Sequence, residues 1–273
     1  MQHGYNETPR YKMILTPTTI DINKFPTELH GFIKNAKLFD SSCSSEARVT
    51  FIDKDSGYFL KTATKGSLKK EAVMTEYFHS KGLSTAVLAY ISSDKDYLLT
   101  EKIRGEDCTT AKFLEQPERL CDTIAKRLAI LHSLDFSDCP IQNYTENYIS
   151  QAKSNYQNGF YNSELFPDNW GYENAEKAIE VINTKGRLLK SDTLLHGDYC
   201  LPNIILNDWN FSGFIDLDSG GVGDKNLDIF WGIWTLFYNL KTNKYRERFI
   251  DAYGRENVDE ERLRVVAACE VFL

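Results

Sequence analysis

Short runs of apolar residues alternate with polar turns in the first hundred residues of the chain. The runs RVTFI (48–52) and YFLKTA (58–63) are rich in β-branched and aromatic residues, and a polar segment separates them. Such a segment suits a turn, so the pattern predicts a β-hairpin. The runs VLAYI (87–91) and YLLTEKI (97–103) flank another polar segment and predict a second antiparallel pair.

A single helix is predicted between these two hairpins. In SLKKEAVMTEYFHSKG (67–82) apolar residues recur four positions apart, the spacing that places side chains on one face of a helix. Ser67 is a candidate N-cap and Gly82 a candidate C-terminal stop. We therefore expect one helix of about three to four turns in this segment.

Helical periodicity dominates after Gly105. Pro117 suits a first helical turn, and the apolar stripe that follows it consists of Leu120, Ile124, Leu128 and Leu131. Further helices are predicted at 174–184, 226–240, 244–253 and 259–271. The pattern thus predicts an α+β, bilobal protein. A small antiparallel β-sheet lobe with one helix takes up residues 1–104, and a larger, mainly helical lobe takes up residues 105–273.

Composition and charge exclude several classes of protein. The 273 residues are 42% hydrophobic and 26% charged, which argues against a disordered or fibrous chain. The formal net charge is −7 and no long basic run occurs, so we expect no nucleic-acid partner. An acidic balance is compatible with a cationic ligand.

Nothing in the sequence predicts a membrane or secreted protein. The most apolar stretch, IFWGIWTLF (229–237), is much shorter than the roughly 18 apolar residues of a membrane helix and predicts a buried core helix. The segment MQHGYNETPRYKM lacks the apolar core of a signal peptide. The six cysteines show no CxxC pair and no metal-ligand spacing. These features predict a cytoplasmic protein with free thiols.

The segment LLHGDYCLPNIILNDWNFSGFIDLDSGG (194–221) carries the strongest chemical signal. Its strand-like runs NIIL and FSGFIDL flank the turn NDWN, which predicts a hairpin that brings Asn203 and Asp216 to the same end of two neighbouring strands. Mg²⁺ prefers hard oxygen ligands, and these two side chains supply them. We therefore predict that Asn203 and Asp216 are Mg²⁺ ligands.

Asp198, which precedes this hairpin, is the candidate catalytic base. Phosphoryl transfer to a hydroxyl needs a carboxylate that aims the hydroxyl and takes its proton late in the transfer. An HGD sequence with Asn203 five residues after its Asp, followed by Asp216 at the end of a hairpin, is difficult to obtain by chance. The sequence thus predicts transfer of the γ-phosphate of a nucleoside triphosphate to a hydroxyl of a small molecule.

HGDYCLPN, SGFIDLDSGGVGDKNLDI, LAILHSLDFSDCP and the ending CEVFL resemble the motifs of the aminoglycoside phosphotransferases, a branch of the protein-kinase-like fold. The similarity covers nearly the whole chain and is strongest to the class that phosphorylates the 3′-hydroxyl. It implies a kinase-like fold, a nucleotide-binding lobe at 1–104 and a catalytic and substrate-binding lobe at 105–273. It also implies ATP or GTP as the phosphate donor, Mg²⁺ as cofactor, and antibiotic resistance as the biological outcome.

The resemblance also implies the groups that bind the nucleotide. It assigns Lys61 to the α- and β-phosphates and Glu71 to an ion pair with it, which agrees with a strand-end lysine and an acid on the one nearby helix. No GxGxxG or Walker sequence is present, and the family uses a serine-containing turn instead, where Ser45 is the matching residue. A plain polar turn is the alternative for Ser45. The connector TEKIRG is placed like a kinase hinge, so the Glu101 carbonyl and the Ile103 amide are the candidates to bind the adenine ring.

For the acceptor, the resemblance implies an acidic wall that pairs with ammonium groups. The candidates are Glu164, Asp168, Glu173, Glu270 and the terminal carboxylate of Leu273. An exposed acidic loop without a binding role is the alternative for the first three.

Two features depart from the family pattern. Asp218 and Ser219 stand where a glycine and an arginine are common, and YNLKTNKY (238–245) is basic where relatives that bind polycations tend to be acidic.

Several other polar and aromatic residues have two interpretations. Asp224 and Asp228 suggest a second metal site, but the family implies that Asp228 opens a buried helix and ties the catalytic loop by hydrogen bonds. His196 and His132 are expected to be hydrogen-bonded structural residues. Trp231 and Trp234 are expected in the core.

Three functional hypotheses follow from the sequence. The first is an aminoglycoside O-phosphotransferase. The second is a kinase of the same fold that acts on another hydroxylated metabolite or antibiotic. The third is a nucleotide-binding protein without catalysis, which the joint presence of Lys61, Asp198, Asn203 and Asp216 disfavours.

Overall fold

The computed structural model describes residues 15–42, 46–162 and 172–273. The chain forms two compact units. The first unit comprises Met1–Glu115 and Leu201–Asp218, and the second comprises Gln116–Cys200 and Ser219–Leu273. The first unit therefore includes a hairpin from the later part of the chain. The predicted lobes at 1–104 and 105–273 follow chain order instead, and as functional divisions they stay a prediction.

An antiparallel six-stranded sheet dominates the first unit. Its strands are Thr16–Thr18 (β1), Lys37–Asp40 (β2), Ala47–Asp53 (β3), Tyr58–Thr64 (β4), Val87–Ser92 (β5) and Lys95–Glu101 (β6). They lie in the order β1-β2-β3-β4-β6-β5. The helices of this unit are His30–Ile33 (α1), Lys69–Ser80 (α2) and Ala111–Leu114 (α3). Both predicted hairpins, β3 with β4 and β5 with β6, are confirmed.

The alternation of side chains along β4 decides which residues face α2. Leu60 packs in a core cluster that includes Ile33 of α1. Ala63 packs in a different cluster, which includes Ala72 of α2. Because residues two apart in a strand share a face, Lys61 lies on the same face as Ala63, the face that α2 covers.

The start of α2 differs from the prediction. The N-cap residue is Leu68, whose side chain makes no capping hydrogen bond. Ser67 Oγ instead donates to the Thr64 carbonyl at 2.7 Å, so the prediction that Ser67 caps the helix is wrong. The amide of Leu68 donates to the buried carboxylate of Asp96, on β6, at 3.0 Å. A contact with the sheet therefore supplies the hydrogen bond at this helix start.

A second, three-stranded sheet carries the hairpin that the sequence predicts. It consists of Glu106–Asp107 (β7), Ile204–Asn207 (β9) and Asn210–Phe214 (β10), in the order β10-β9-β7. The turn residues Asp208 and Trp209 have φ values of 49° and 70°, as in tight hairpin turns. Gly105 precedes β7 with a φ of +125°, and a Cβ there would lie 2.4 Å from the Leu206 carbonyl oxygen. The close approach of β7 to β9 thus requires glycine at position 105.

The second unit is mainly helical. Its helices are Pro117–His132 (α4), Tyr144–Gln157 (α5), Ala175–Lys185 (α6), Asn226–Leu240 (α7), Arg246–Tyr253 (α8) and Glu260–Glu270 (α9). The four leucine and isoleucine residues of the predicted stripe in α4 have no solvent exposure, so that prediction is confirmed. The four helices predicted after residue 173 are also confirmed, with ends that differ by at most two residues. The predicted core helix at 229–237 lies within α7.

Helix α5 and a small sheet are absent from the sequence-based prediction. The segment YTENYISQAKSNYQ has few aliphatic residues, and its buried positions are Thr145, Tyr148 and Ala152. This pattern does not stand out as an apolar face, so periodicity gives no helix signal. Strands Thr193–Leu195 (β8) and Gly221–Gly223 (β11) pair antiparallel and were also not predicted. Both are only three residues long.

The remaining expectations concern thiols and membranes. Five described cysteines are free and buried, as predicted: Cys108, Cys121, Cys139, Cys200 and Cys269. Cys43 lies outside the described residues. In the part of the chain that the structure describes, no helix has the length and apolar character needed to cross a membrane.

Candidate functional site

Lys61 lies between two carboxylates in the first unit. Its Nζ is 2.8 Å from Glu71 Oε2 and 2.9 Å from Asp216 Oδ1. Glu71 is in the first turn of α2, and Lys61 is on the β4 face that this helix covers. The strand and the helix therefore hold the ammonium and the Glu71 carboxylate together, as the sequence predicts.

Burial and charge act in opposite directions on these groups. Burial alone would lower the pKa of Lys61, but the charges of Asp216 and Glu71 outweigh it and raise that pKa above its ordinary value. Burial raises the pKa of Glu71, and the neighbouring Lys61 opposes that rise. The side chain of Asp216 is 49% exposed, whereas that of Glu71 is 9% exposed. Glu71 is thus the buried partner of Lys61, and Asp216 is the partner open to solvent.

The hairpin of β9 and β10 brings Asn203 and Asp216 to the same end of two strands. Ile204 pairs with Phe214, and the Ile215 amide donates to the Asn203 carbonyl at 3.1 Å. This geometric prediction is confirmed. Asp216 has a φ of +58°, so the backbone turns at that point, directly after β10. Its carboxylate contacts Lys61.

The donor set at this end of the hairpin fits a hard divalent cation. Asn203 supplies an amide oxygen, and Asp216 supplies a half-exposed carboxylate. Oxygen ligands of this kind suit Mg²⁺, which usually keeps other positions for water and phosphate oxygens. Within the described ranges, no three histidine, cysteine, aspartate or glutamate side chains are grouped as a metal site of their own. A metal held here would therefore depend on ligands beyond these two residues.

The predicted hinge follows β6 in the first unit. The Glu101 carbonyl accepts a hydrogen bond from Thr85 Oγ1 at 2.8 Å, and the Lys102 amide donates to the Gly57 carbonyl at 3.0 Å. The side chain of Ile103 lies against Gly213, where an added Cβ would approach it to 2.7 Å. The connector is thus fixed by hydrogen bonds to its main chain at Glu101 and Lys102 and by packing of the Ile103 side chain. The roles of Glu101 and Ile103 toward adenine stay predictions.

The loop that carries Asp198 is held by a buried carboxylate in the second unit. Asp228, near the start of α7, accepts hydrogen bonds from the amides of His196 and Gly197, each at 2.8 Å. His132 Nε2 lies 3.2 Å from the same carboxylate, and Tyr253 holds the other nitrogen of that ring. The family-based expectation that Asp228 ties the loop is confirmed. His132 is confirmed as a hydrogen-bonded structural residue.

The backbone at positions 196–198 makes a tight turn at a glycine. Gly197 has a φ of +86°, and a Cβ there would lie 1.8 Å from the Ser219 carbonyl oxygen. The Asp198 amide lies 3.3 Å from His196 Nδ1, so His196 anchors the loop as expected. Asp198 itself is half-buried. Its assignment as catalytic base stays a prediction.

Asp224 is also used structurally. Its Oδ1 accepts the Asn226 amide at 2.9 Å, and its Oδ2 accepts the Lys190 amide at 2.8 Å. Arg262 lies 3.4 Å from the second oxygen. These contacts favour a structural role for Asp224 over the alternative of a second metal site.

Glu270, the predicted acceptor-binding acid on α9, is buried in the second unit. Tyr148 of α5 donates to its Oε1 at 2.7 Å. Burial raises the pKa of Glu270 to about 7, and the negative charge of Asp198 adds to the rise, while hydrogen bonds from Tyr148 and Trp231 oppose it. Sequence reasoning did not identify Tyr148, because α5 itself gave no periodic signal.

The other predicted acceptor residues have different surroundings. Glu173 is exposed before α6, and Leu273 is 47% exposed at the chain end. The residues just before Leu273 are fixed, since Asn155 Nδ2 donates to the Phe272 carbonyl at 2.7 Å. Ser45, Glu164 and Asp168 lie outside the described residues. The substrate roles of all these residues stay predictions.

The predicted residues thus divide between the two units. The first unit contains Lys61, Glu71, Glu101, Ile103, Asn203 and Asp216, and the second contains Asp198, Glu173, Glu270 and Leu273.

The chain is similar to known phosphotransferases along most of its length. The family model described as the phosphotransferase enzyme family (APH) matches residues 38–266. A protein of Lactococcus lactis subsp. lactis strain IL1403, named "Probable aminoglycoside 3'-phosphotransferase", is 49% identical over 255 residues, which is 93% of this chain and 97% of the relative. An aminoglycoside 3'-phosphotransferase of Niallia circulans is 28% identical over 178 residues, 65% of this chain and 67% of the relative.

Solved structures share the fold. The crystal structure of an aminoglycoside-3'-phosphotransferase of type VIII has a TM-score of 0.73 at 21% identity and covers 90% of this chain and 97% of that chain. The aminoglycoside phosphotransferase APH(3'')-Id from Streptomyces rimosus, in complex with ADP and streptomycin, has a TM-score of 0.71 at 20% identity, with 93% and 100% covered. The predicted α+β, kinase-like fold is therefore confirmed.

Proposed function

The chain belongs to the phosphotransferase enzyme family, and on that premise we propose that it transfers the γ-phosphate of ATP or GTP to a hydroxyl of an aminoglycoside. The observation that carries the proposal is the position of the Lys61 ammonium between Glu71 and Asp216. One carboxylate is buried and the other is half-exposed, so a cation and an acid are both fixed where a phosphate and its metal can bind. The solved relative with ADP and streptomycin supports a nucleotide and an aminoglycoside as the two substrates.

In this proposal Lys61 binds the α- and β-phosphates. Glu71 fixes the position of the ammonium because it contacts Lys61 at 2.8 Å from a buried site on α2. Main-chain groups of the hinge at Glu101 and Ile103 bind the base, which leaves the choice between ATP and GTP to backbone geometry. Ser45 is proposed as a further phosphate contact from the family pattern.

Asn203 and Asp216 would hold Mg²⁺, which supplies charge stabilisation to the transferred phosphoryl group when bound. Asp216 contacts Lys61 through Oδ1 and is half-exposed, so its other carboxylate oxygen can bind a metal ion. The main-chain hydrogen bond from the Ile215 amide to the Asn203 carbonyl keeps the side chains of Asn203 and Asp216 at one end of the hairpin.

Asp198 would orient the acceptor hydroxyl and take its proton late in the transfer. The two amide hydrogen bonds to Asp228 fix the backbone before Asp198, so the carboxylate is presented from a rigid turn. Glu270, Glu173 and the carboxylate of Leu273 would pair with ammonium groups of the acceptor, together with Glu164 and Asp168 from the family pattern. A cytoplasmic location is proposed because nucleoside triphosphates are the donors.

An acceptor screen beside the Asp198→Ala variant tests the proposal. Purified protein with Mg²⁺ and ATP or GTP should release nucleoside diphosphate in the presence of kanamycin or neomycin. Asp198→Ala should reduce turnover about a thousandfold, within the range for loss of a general base, while nucleotide still raises its melting temperature. Expression in a susceptible strain should raise tolerance to the same compounds. Full turnover by Asp198→Ala would remove Asp198 from the mechanism.

A second candidate is a kinase of the same fold that acts on another hydroxylated metabolite or antibiotic. Asp218 and Ser219 in place of the family's glycine and arginine, and the basic segment 238–245, favour this candidate. Release of nucleoside diphosphate with neutral polyols but not with aminoglycosides would support it. A melting temperature raised by ATP without turnover of any acceptor would instead support a nucleotide-binding protein without catalysis.

A further inference from the structure

Three aromatic side chains form a strip along α7 in the second unit. Trp231, Trp234 and Tyr238 are spaced three and four residues apart, which places them on one side of the helix. The ring centroids of Trp231 and Trp234 are 5.2 Å apart with the planes at 80°, and those of Trp234 and Tyr238 are 4.9 Å apart and nearly parallel at 15°. All three side chains are half-buried rather than buried. The expectation that both tryptophans belong to the core is therefore only partly met, and the strip exposes ring surface.

The helix that carries the strip also holds the loop of Asp198. Asp228, one turn before Trp231, accepts the amides of His196 and Gly197. Thr235, one turn after Trp231, hydrogen-bonds the Cys200 thiol. Trp231 therefore lies between two contacts of α7 with the loop, on the helix side that faces it.

The strip begins at the buried acid Glu270. The side chain of Trp231 hydrogen-bonds the Glu270 carboxyl group. Glu270 is close enough to Asp198 that the two negative charges interact. One end of the strip thus adjoins the carboxyl group proposed to bind an ammonium of the acceptor.

The other end of the strip already binds a cation. Lys241 Nζ lies 4.3 Å from the centre of the Tyr238 ring. An ammonium at this distance over an aromatic face is attracted by the ring quadrupole, and tryptophan gives the strongest attraction of this kind. The half-buried rings of Trp231 and Trp234 offer the same chemistry between Glu270 and Lys241.

We propose that Trp231, Trp234 and Tyr238 bind a charged amine of the acceptor against their ring faces, beside Glu270. The inference rests on the proposed function, because it concerns the acceptor of that reaction. It names specificity-determining residues of a different chemical type from carboxylates. It also accounts for a basic segment at 238–245 in a protein that takes a cationic acceptor, since Lys241 is engaged with a ring of the strip.

The test replaces one ring face and measures acceptor binding. Trp234→Leu keeps an apolar side chain but removes the π face, whereas Trp234→Phe keeps a smaller ring. For kanamycin, Trp234→Leu should raise KM about tenfold, the equivalent of about 1.4 kcal/mol, with kcat and the KM for the nucleotide unchanged. Trp234→Phe should give an intermediate KM. The matched control is Trp209→Phe, in the β9–β10 turn against Phe113, which should leave all three constants unchanged.

A second readout needs no turnover. In a ¹⁵N-labelled protein, kanamycin added without nucleotide should shift the indole N–H signals of Trp231 and Trp234 and leave that of Trp209 in place. An N-acetylated kanamycin, which has lost the charged amines, should give no shift. Unchanged indole signals together with an unchanged KM in Trp234→Leu would overturn the strip as a binding surface. If the indole signals and the KM were unchanged while the wild-type protein still phosphorylated kanamycin, the proposed function would stand without the strip. Indole shifts without phosphorylation of any acceptor would instead support the strip and count against the proposed reaction.

Discussion

In the first unit the buried Glu71 carboxylate contacts the Lys61 ammonium. In the second unit the buried carboxylates of Asp228 and Glu270 instead accept hydrogen bonds from amide, hydroxyl and ring N–H groups. Lys61 lies between Glu71 and Asp216 at 2.8 and 2.9 Å. Asp228 accepts two amide hydrogen bonds, and Glu270 accepts one from Tyr148. Among the described groups that act on the pKa of Glu270, Tyr148 and Trp231 donate hydrogen bonds, Asp198 is negative, and none is a cation.

Under the proposed function, this difference separates groups that are positioned before any ligand binds from a carboxyl group that a cationic ligand would stabilise. The carboxylates of Glu71 and Asp216 hold the Lys61 ammonium from two sides within the protein, so the ammonium is positioned in advance. Burial raises the pKa of Glu270 as it does that of Glu71, but Lys61 opposes the rise at Glu71, whereas no cation among the described groups opposes it at Glu270. A cationic acceptor beside Glu270 would stabilise the ionised form.

The largest effect is expected when the cation of the first unit is removed. Lys61→Met leaves Glu71 buried near Asp216 without a positive partner. We expect the free energy of unfolding to fall by about 3 kcal/mol, at the lower end for such pairs because Lys61 is partly exposed. Turnover should fall more than about a hundredfold, since phosphate contacts act directly on the transition state. Urea denaturation and a nucleoside diphosphate release assay measure the two effects.

The double variant Lys61→Met/Glu71→Gln is the matched control for that prediction. It removes the charge that the single variant leaves unpaired, so it should recover most of the lost stability but none of the turnover. Equal stability of the single and double variants would show that Glu71 does not depend on Lys61.

An effect of similar or smaller size is expected at Glu270, and it depends on pH. The pKa of Glu270 is about 7 in the folded protein and 4.5 as the ordinary value. Between these values the folded state keeps a proton that the unfolded state releases, so the contribution of Glu270 to stability falls as pH rises. Relative to Glu270→Gln, the wild-type protein should lose up to about 3 kcal/mol of unfolding free energy between pH 4.5 and pH 8. Urea denaturation at a series of pH values measures this difference.

Glu261→Gln on the same helix provides the control, because Glu261 is exposed and pairs with Lys185. Its unfolding free energy should follow that of the wild-type protein across the pH range to within about 0.5 kcal/mol. A Glu270→Gln variant that also ran parallel to the wild type would contradict the idea that Glu270 is buried without a cation.

The smallest effect is expected for Ser67→Ala, at the start of α2 in the first unit. There the Asp96 carboxylate accepts a backbone amide, as Asp228 accepts loop amides in the second unit. Asp96 accepts the Leu68 amide at the start of α2, and Ser67 Oγ donates to the Thr64 carbonyl. Ser67→Ala should therefore change the unfolding free energy by less than about 0.5 kcal/mol, whereas loss of a true N-cap costs about 1 kcal/mol. Urea denaturation distinguishes these values, and a loss of about 1 kcal/mol or more would restore Ser67 as the cap.

Local sequence patterns account for the parts of the fold that were predicted correctly. The β3–β4 and β5–β6 hairpins follow from short runs of β-branched and aromatic residues around polar turns, and the stripe of α4 follows from a repeat of three to four residues. Helix α5 was not predicted because its buried positions, Thr145, Tyr148 and Ala152, do not form an apolar pattern in the sequence. Tyr148, the donor to Glu270, was missed with it.

The candidate site residues could be identified because residue types and short sequence spacings are enough to suggest a phosphoryl-transfer site. The HGD sequence, Asn203 and Asp216 lie within one segment, and a hairpin suffices to join the last two.

The sequence by itself thus determined the secondary structure of segments with a clear local pattern and the pairing of β9 with β10, and it supplied the candidate residues for phosphoryl transfer. Tertiary structure alone decided that Lys61 contacts Asp216, 155 residues away. It also decided that the carboxylate oxygens of Asp228 accept hydrogen bonds from two loop amides, which favours a structural role over a metal site. The carboxylate of Asp96 on β6 likewise accepts the amide hydrogen bond at the start of α2 only because the helix packs on that sheet. Periodicity records which side of an element is buried, whereas these contacts depend on which elements pack together, and no short stretch of the chain contains that information.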